Sequence, residues 1–288
     1  MKNIINFKKQ RELGDILTDT FAFIRSEWKT LFGMIFKLAG PALVIVLIAY
    51  IYYMQTTLGS MGTAGFLGSS GFTFSFVVAL LVLFIAGVVY NSLLYGTVIG
   101  YIKSYIKNDG EINKEEISTE VKKSFSGLLG MSILVGLMVG FGLVLCVIPG
   151  IYLAVALSTV YCIYIFEGKD VTDSINYSFK LVKENWWMTF ATLLVMGILY
   201  YLVLIIFQIP QYIYFFINAF TSAQMSSVDP ADMFDWVYVA LSSIGIIAQY
   251  LLLTIMVICT VFVYFNLNEK KHFTGTMETI DSLGDKRE

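Results

Sequence analysis

Residues 74–102 read FSFVVALLVLFIAGVVYNSLLYGTVIGYI and contain no Lys, Arg, Asp or Glu. A helix rises about 1.5 Å per residue and the hydrocarbon core of a bilayer is about 30 Å thick, so about 20 apolar residues span it. The stretch is therefore long enough to cross a membrane as one helix. It belongs to a charge-free run over residues 38–102, which has room for two spans and a loop.

The composition extends this conclusion to the whole chain. Of its 288 residues, 57% are hydrophobic and 14% are charged, whereas soluble domains carry about 25% charged residues. Six apolar segments stand out, at residues 38–54, 74–102, 128–148, 151–166, 188–209 and 236–267. The sequence therefore predicts an all-α membrane protein with about six transmembrane helices.

The third and fourth apolar segments are separated only by Pro149-Gly150. Pro lacks a backbone N–H and Gly accepts positive φ, so the pair favours a tight turn between two spans. Because each arm is nearly long enough to cross a bilayer, we expect two crossings. A re-entrant hairpin, which turns back inside the membrane, is the alternative interpretation.

The basic residues indicate which segments face the cytoplasm. All 19 of them lie before residue 38, in residues 103–127, in residues 167–187 or after residue 267. Cytoplasmic loops of membrane proteins are enriched in Lys and Arg. The distribution predicts a multi-pass protein of the cytoplasmic membrane, with both termini in the cytoplasm and an even number of spans.

Amphipathic segments precede the first, third and fifth spans. Their apolar residues recur at spacings of three and four, which is typical of one face of a helix. These residues are Leu13, Leu17, Phe21, Ile24, Trp28 and Leu31, then Ile117, Val121, Phe125 and Leu128, then Val171, Ile175, Phe179, Val182 and Trp186. We interpret the segments as interfacial helices, with the apolar face in lipid and the basic face toward headgroups.

The chain is interpreted as one polytopic membrane domain, residues 1–268, followed by a cytoplasmic tail, residues 269–288. The first and third amphipathic segments match at a fixed offset, which pairs Asp15 with Asp173, Phe21 with Phe179, Trp28 with Trp186, and Phe32 with Phe190. The match suggests a three-fold repeat of an amphipathic helix and two spans, at 11–102, 111–166 and 170–267. The alternative is that interfacial helices converge on the same composition.

Three polar residues near or within the spans are candidates for intramembrane contacts. Lys37 lies about a turn into the first apolar run, where its long side chain can snorkel to the interface. Asn91 and Gln249 lie deeper, in the second and sixth spans, and can hydrogen-bond to neighbouring helices. A role of these residues in a substrate or ion path is the alternative interpretation.

Two glycine pairs, Gly96-x-x-x-Gly100 and Gly136-x-x-x-Gly140, each place small residues on one helix face. Such faces allow helices to approach closely. We expect internal packing at both pairs, with dimerisation as the alternative.

The sequence predicts no catalytic residues, no metal site and no cofactor. Its single histidine, His272, has no second histidine beside it, and Cys146, Cys162 and Cys259 all lie in apolar runs. A metal centre or a serine–histidine triad would lack its partner residues. Basic residues are interleaved with acidic ones, so nucleic-acid binding is not expected.

Several short motifs resemble those of a known family. They are Leu13-Gly-Asp-Ile-Leu17, Trp28-x-x-Leu31, Val147-Ile-Pro-Gly-Ile-Tyr-Leu153, Ser178-Phe-Lys-Leu-Val-Lys-x-x-Trp186 and Tyr264-Phe-Asn-Leu-Asn-Glu-Lys-Lys271. The chain resembles bacterial membrane proteins related to the membrane region of glycerophosphoryl diester phosphodiesterases. In that family the phosphodiesterase chemistry belongs to a separate soluble domain, so the resemblance implies the membrane architecture and not the activity.

These observations predict a function without catalysis. We expect a scaffold, regulatory or lipid-organising protein of the inner membrane, whose partners are membrane lipid and other membrane proteins. The alternative is a transporter or channel for a small or lipid-like solute, because repeats are common in transporters.

Overall fold

The computed structural model describes residues 4–61, 74–224, 235–277 and 280. Every regular element in this part of the chain is helical, which confirms the predicted all-α class. The helices are α1 (Leu13–Leu38), α2 (Gly40–Met61), α3 (Phe74–Lys107), α4 (Lys114–Leu145), α5 (Val147–Ala156), α6 (Val160–Glu167), α7 (Val171–Val182), α8 (Trp186–Gln224) and α9 (Trp236–His272). A 3-10 turn, Lys183–Asn185, joins α7 to α8.

Six helical segments are long and apolar enough to cross a membrane, as the sequence predicted. They are Gly40–Thr57, Phe74–Lys107, Lys114–Leu145, Val147–Glu167, Val171–Thr221 and Trp236–His272. Several extend beyond the apolar stretches of the sequence. For example, α4 begins at Lys114 because the second amphipathic segment and the third span form one continuous helix.

The chain forms two compact units. Unit 1 comprises Met1–Leu38, Asn91–Ile198 and Thr254–Glu288, and unit 2 comprises Ala39–Tyr90 and Leu199–Leu253. The single membrane domain and the three-fold repeat stay predictions. Helix α9 continues to His272, so it includes the first residues of the predicted tail.

Unit 1 has an aromatic core around Phe7. Its ring stacks on Phe262 with centroids 4.5 Å apart and meets Phe23 edge-on at 5.4 Å. The carboxylate of Glu27 is also buried in this unit, where it accepts a hydrogen bond from the Tyr101 hydroxyl at 2.9 Å. The face of α1 that carries Glu27 is therefore covered by protein, whereas its predicted lipid face exposes Phe21 and Trp28.

Unit 2 is held by tyrosines that donate to backbone carbonyls. The Tyr90 hydroxyl donates to the carbonyl of Tyr250 at 3.0 Å, and the two rings meet edge-on at 4.9 Å. Large apolar side chains such as Ile45 and Ile48 point outward and are exposed. An outward apolar surface of this kind is what hydrocarbon requires of a membrane-spanning helix.

The two glycine pairs differ in how closely a neighbouring helix approaches them. A Cβ at Gly96 would lie 2.9 Å from Leu128 Cδ1, and one at Gly100 would lie 3.9 Å from Ile117 Cγ2, so this face of α3 packs closely on α4. The apolar face of the second amphipathic segment is consequently covered by protein. By contrast, beyond its chain neighbours and the adjacent backbone of α4, no described atom lies within 4 Å of a Cβ built at Gly136 or Gly140. Internal packing of described residues therefore occurs at the first pair and not at the second.

The predicted turn at Pro149-Gly150 is wrong in position. The chain reverses at Cys146, whose backbone is extended (φ −168°, ψ 143°), and Pro149 and Gly150 lie inside α5. Pro is tolerated in the first turn of a helix because the N–H groups there have no intrahelical acceptor. Gly150 instead allows α5 to pack closely on α4, because a Cβ at this position would lie 2.7 Å from the backbone N of Leu143.

The fourth candidate span is interrupted. Helix α5 ends at Ala156 and α6 begins at Val160, with a turn between them. The Ser178 hydroxyl of α7 donates to the carbonyl of Ala156 at 2.7 Å and lies 2.9 Å from the Thr159 hydroxyl. Helix α7, which we interpreted from the sequence as interfacial, thus provides hydrogen-bond partners for polar groups at the break between α5 and α6.

Candidate functional site

The three polar residues predicted as intramembrane contacts lie on three helices. Lys37 is exposed in the last turn of α1 and forms no ion pair with any residue that the structure describes. Asn91 is half-buried in α3, and Gln249 is half-buried in α9, where its backbone carbonyl accepts a hydrogen bond from the Tyr200 hydroxyl at 3.2 Å. Their proposed roles stay predictions.

A groove between α5 and the start of α8 is the strongest candidate site. It has a volume of about 680 Å³ and an apolar floor to which Ile148 and Ile151 contribute. We call it the aromatic groove and define it by its lining residues, which are Ile148, Ile151 and Tyr152 of α5, residues 183–188, and Phe190 of α8. The described residues that line it include none of the three predicted polar residues.

One wall of the groove is a stack of aromatic rings. The Trp186 ring lies parallel to Phe190, with centroids 5.2 Å apart, and stacks on Tyr152 at 5.8 Å. Trp187 meets Trp186 edge-on at 4.8 Å and is 76% exposed. Trp and Tyr are enriched where membrane meets water, because their rings are apolar and their N–H or O–H groups are polar.

The indole N–H of Trp186 lacks an acceptor. Its Nε1 atom is buried and has no hydrogen-bond partner among the described residues. A buried donor without an acceptor costs about 1–3 kcal/mol. Because the atom is buried, a ligand in the groove reaches this donor only if the Trp186 ring shifts.

The rim of the groove carries one charge of each sign. Lys183 and Glu184 are consecutive, both are exposed, and within the described chain neither takes part in an ion pair. Next to them, Asn185 Oδ1 accepts from Lys270 Nζ at 3.4 Å, and the same Nζ lies 3.2 Å from the sulfur of Met188. Lys270 thus holds the 3-10 turn against α9 while leaving the two rim charges available.

His272 lies at the end of α9, outside the groove. Its Nε2 is 2.7 Å from the Tyr177 hydroxyl, and Lys169 Nζ lies 3.7 Å over the Tyr177 ring. Among the described residues, no group of three or more His, Cys, Asp or Glu side chains is placed to hold a metal ion.

Sequence reasoning placed Trp186 on an apolar helix face but did not identify the groove. The available signal was the Lys183-Glu184-Asn185-Trp186-Trp187 run, in which paired tryptophans follow adjacent opposite charges. The facing wall could not be found from this run, because the predicted turn at Pro149-Gly150 put Ile148 and Ile151 on separate spans.

Comparisons with known proteins identify a family and no individual relative. No curated protein and no solved structure matches the chain. A family model matches residues 73–229, which is more than half of the chain and includes every residue that lines the aromatic groove. The chain belongs to the uncharacterised protein family UPF0259.

Proposed function

We propose that this chain is a non-enzymatic membrane protein that binds and organises membrane lipid, with the aromatic groove as its lipid site. The observation that carries the proposal is the combination, in one open cavity, of an apolar floor, a stacked aromatic wall and a charged rim. A phospholipid is divided in the same way, into apolar chains and a charged headgroup. Pockets that are mostly apolar, with a few polar groups to fix orientation, are typical ligand sites.

In this proposal, the groove lies at the cytoplasmic surface of the membrane. Lys183 lies in one of the four segments that hold all the basic residues, and such segments are typically cytoplasmic. With both termini also on that side, the groove would open toward the inner leaflet.

The resemblance to the membrane regions of glycerophosphoryl diester phosphodiesterases fits the same proposal. Two of the motifs that carry it, Val147-Ile-Pro-Gly-Ile-Tyr-Leu153 and Ser178-Phe-Lys-Leu-Val-Lys-x-x-Trp186, supply residues of both walls of the groove.

Quenching of tryptophan fluorescence tests the proposal, because bromine atoms on a lipid acyl chain quench an indole only at close range. Trp236 is a matched control: it is 79% exposed, compared with 76% for Trp187, and it lies outside the groove. One variant, Trp28→Phe with Trp236→Phe, keeps only the groove tryptophans. A second variant, in which Trp28, Trp186 and Trp187 become Phe, keeps only Trp236.

Each variant is titrated in detergent micelles with brominated phosphatidylethanolamine, phosphatidylglycerol or phosphatidylcholine, in separate experiments. We expect at least one lipid to quench the groove tryptophans at a lower lipid mole fraction than it quenches Trp236, because a site concentrates lipid above its level in the micelle. Identical titration curves for both variants with all three lipids would refute a lipid site in the groove.

A second candidate function, solute transport, is favoured by the break between α5 and α6. Discontinuous spans form the substrate sites of many transporters, and the Ser158 hydroxyl at this break is buried without a partner among the described residues. Stopped-flow glycerol uptake into proteoliposomes tests this function. Uptake above that of empty liposomes, reduced by Ser158→Ala, would support transport, and uptake equal to that of empty liposomes would count against it for this solute.

A further inference from the structure

We infer that the aromatic groove selects a zwitterionic phospholipid whose headgroup ends in a primary ammonium group, as in phosphatidylethanolamine. The inference rests on the proposed lipid-binding function and adds the headgroup chemistry. Its basis is the pair of unpaired opposite charges, Lys183 and Glu184, at the rim of a groove with an apolar floor.

The two rim charges match a ligand that carries both signs. Lys183 and Glu184 both line the groove and both are exposed, so the rim offers both signs of charge on flexible side chains, although consecutive residues of a helical turn point in different directions. A headgroup with one phosphate and one ammonium group can pair with both side chains at once. An anionic headgroup can pair with Lys183 alone and places its charge near the Glu184 carboxylate.

The phosphate end has one exposed donor. Lys183 supplies an ammonium group at the rim, whereas the Trp186 Nε1–H is buried. A phosphodiester offers oxygen acceptors to the ammonium group, and hydrogen bonds between ionised groups are stronger than neutral ones. This interaction is common to all phospholipids, so it contributes affinity and not headgroup selection.

The ammonium end provides the selection. Glu184 accepts N–H donors, and the ring face of Tyr152 that is turned away from Trp186 attracts a cation close to it. A primary ammonium group has three N–H donors for the carboxylate. The trimethylammonium group of phosphatidylcholine has none, and phosphatidylglycerol has no cation.

The acyl chains continue from the headgroup along the floor. Ile148 is 76% exposed and Ile151 is also exposed, although both are large apolar side chains in the lining of the groove. An acyl chain can lie along these side chains as it does along any apolar surface in the bilayer, so the floor accepts acyl chains and does not distinguish headgroups. The groove thus accommodates both parts of one lipid molecule.

Competition measures the headgroup preference. The variant that keeps only Trp186 and Trp187 is loaded with brominated phosphatidylethanolamine in detergent micelles, and an unbrominated lipid is then added to restore fluorescence. We expect phosphatidylethanolamine to displace the probe at about a threefold to fivefold lower mole fraction than phosphatidylglycerol or phosphatidylcholine does, which is the size expected for one exposed ion pair.

Two substitutions separate the roles of the rim charges. Glu184→Gln should remove the preference for phosphatidylethanolamine over phosphatidylglycerol. It removes the carboxylate that pairs with the ammonium group and leaves the phosphate contacts intact. Lys183→Gln should weaken the binding of all three lipids. Lys180→Gln and Asp173→Asn are matched controls, since both side chains are exposed on α7 and neither lines the groove, and we expect them to leave the preference unchanged.

The outcomes distinguish this inference from the proposed function. Site-specific quenching with equal displacement by the three lipids would leave the lipid site standing and overturn headgroup selection. Selection that survives Glu184→Gln would overturn the role of that carboxylate. Absence of site-specific quenching by any brominated lipid would remove both the selection and the lipid site.

Discussion

The guanidinium of Arg11 is enclosed by protein and neutralised by Asp19. Its side chain has no exposed surface, its Nε donates to Asp19 Oδ2 at 2.8 Å, and its Nη1 donates to the carbonyl of Phe7 at 2.7 Å. Burial lowers the pKa of Arg11, opposed by the hydrogen bond and charge of Asp19. Burial alone would raise the pKa of Asp19, but the hydrogen bonds and charges of Arg11 and Lys9 outweigh it and lower that pKa.

We predict that Asp19→Asn destabilises the protein at neutral pH by about 1.5–3 kcal/mol, the range for a hydrogen bond to a charged group. A carboxylate whose pKa is depressed on folding stabilises the fold above its ordinary pKa, near 3.8, and this contribution is lost as the pH falls through the folded-state value. The difference in the free energy of unfolding between Asp19→Asn and the parent protein should therefore have its full size at pH 7 and disappear in acid. Unfolding in detergent, followed by circular dichroism from pH 7 to pH 3, measures it.

Glu111→Gln is the control for this prediction, because Glu111 is exposed and makes no ion pair among the described residues. The effect of Glu111→Gln on the free energy of unfolding should be small at every pH. A loss of stability in Asp19→Asn that is the same at pH 3 and pH 7 would contradict the assigned role of the carboxylate.

For individual residues, the sequence shows the sign of each charge but does not predict whether the charged side chain is buried. It placed Arg11 among cytoplasmic basic residues, which is a statement about membrane sidedness and not about burial. Where Arg11 is buried, its backbone N–H donates to Asn266 Oδ1 at 2.8 Å, a contact between opposite ends of the chain. Local periodicity carries no information on such pairs, and the same limit hid the Tyr152–Trp186 stack of the groove.

Among the helices, Gly150 determines how closely α5 approaches α4. A Cβ at this position would lie 2.7 Å from the backbone N of Leu143, which cannot move aside as a flexible side-chain end can. We predict that Gly150→Ala destabilises the protein by about 1–3 kcal/mol, the usual cost of overpacking. Thermal unfolding in detergent gives the measurement.

Gly140→Ala is a matched control on the partner helix α4, because its added Cβ has no described atom within 4 Å beyond its chain neighbours and the adjacent backbone of α4. Replacing a glycine inside a helix by alanine is itself favourable by up to about 1 kcal/mol. We therefore expect Gly140→Ala to be neutral or stabilising. Equal effects of the two substitutions would show that the α4–α5 contact does not depend on Gly150.

The helices were predicted better than their ends. Periodicity identified the segment that became α7, and apolar length identified the candidate spans, because both signals accumulate over many residues. The position of the turn was wrong since Pro149 suits a helix start as well as a turn. The break after Ala156 had no Pro or Gly to mark it, and its polar groups are satisfied by Ser178, which is distant in sequence.

For the molecule as a whole, the depth of the α4–α5 hairpin decides how many times the chain crosses the membrane. The base of α5 is fixed beside α7 by the hydrogen bond from Ser178 to Ala156. Helix α7 exposes Asp173 and Lys180, which require water or headgroups. Since α5 has 10 residues, the tip at Cys146 lies at most about 15 Å beyond that contact, half the thickness of the hydrocarbon core. Residues 147–167 would measure about 32 Å, a full crossing, only if α5 and α6 were collinear.

This geometry favours the re-entrant alternative, and Cys146 is placed to test it. Cys146 is exposed, whereas Cys162 and Cys259 are buried, so a membrane-impermeant maleimide reports mainly on the hairpin tip. We predict no labelling of Cys146 from outside intact cells. In a Cys146→Ser background, Gln55→Cys should label from outside, and Lys114→Cys and Lys180→Cys only after permeabilisation, because the basic segments are expected in the cytoplasm. Labelling of Cys146 from outside as fast as Gln55→Cys would instead establish two full crossings, and with them a chain of six spans.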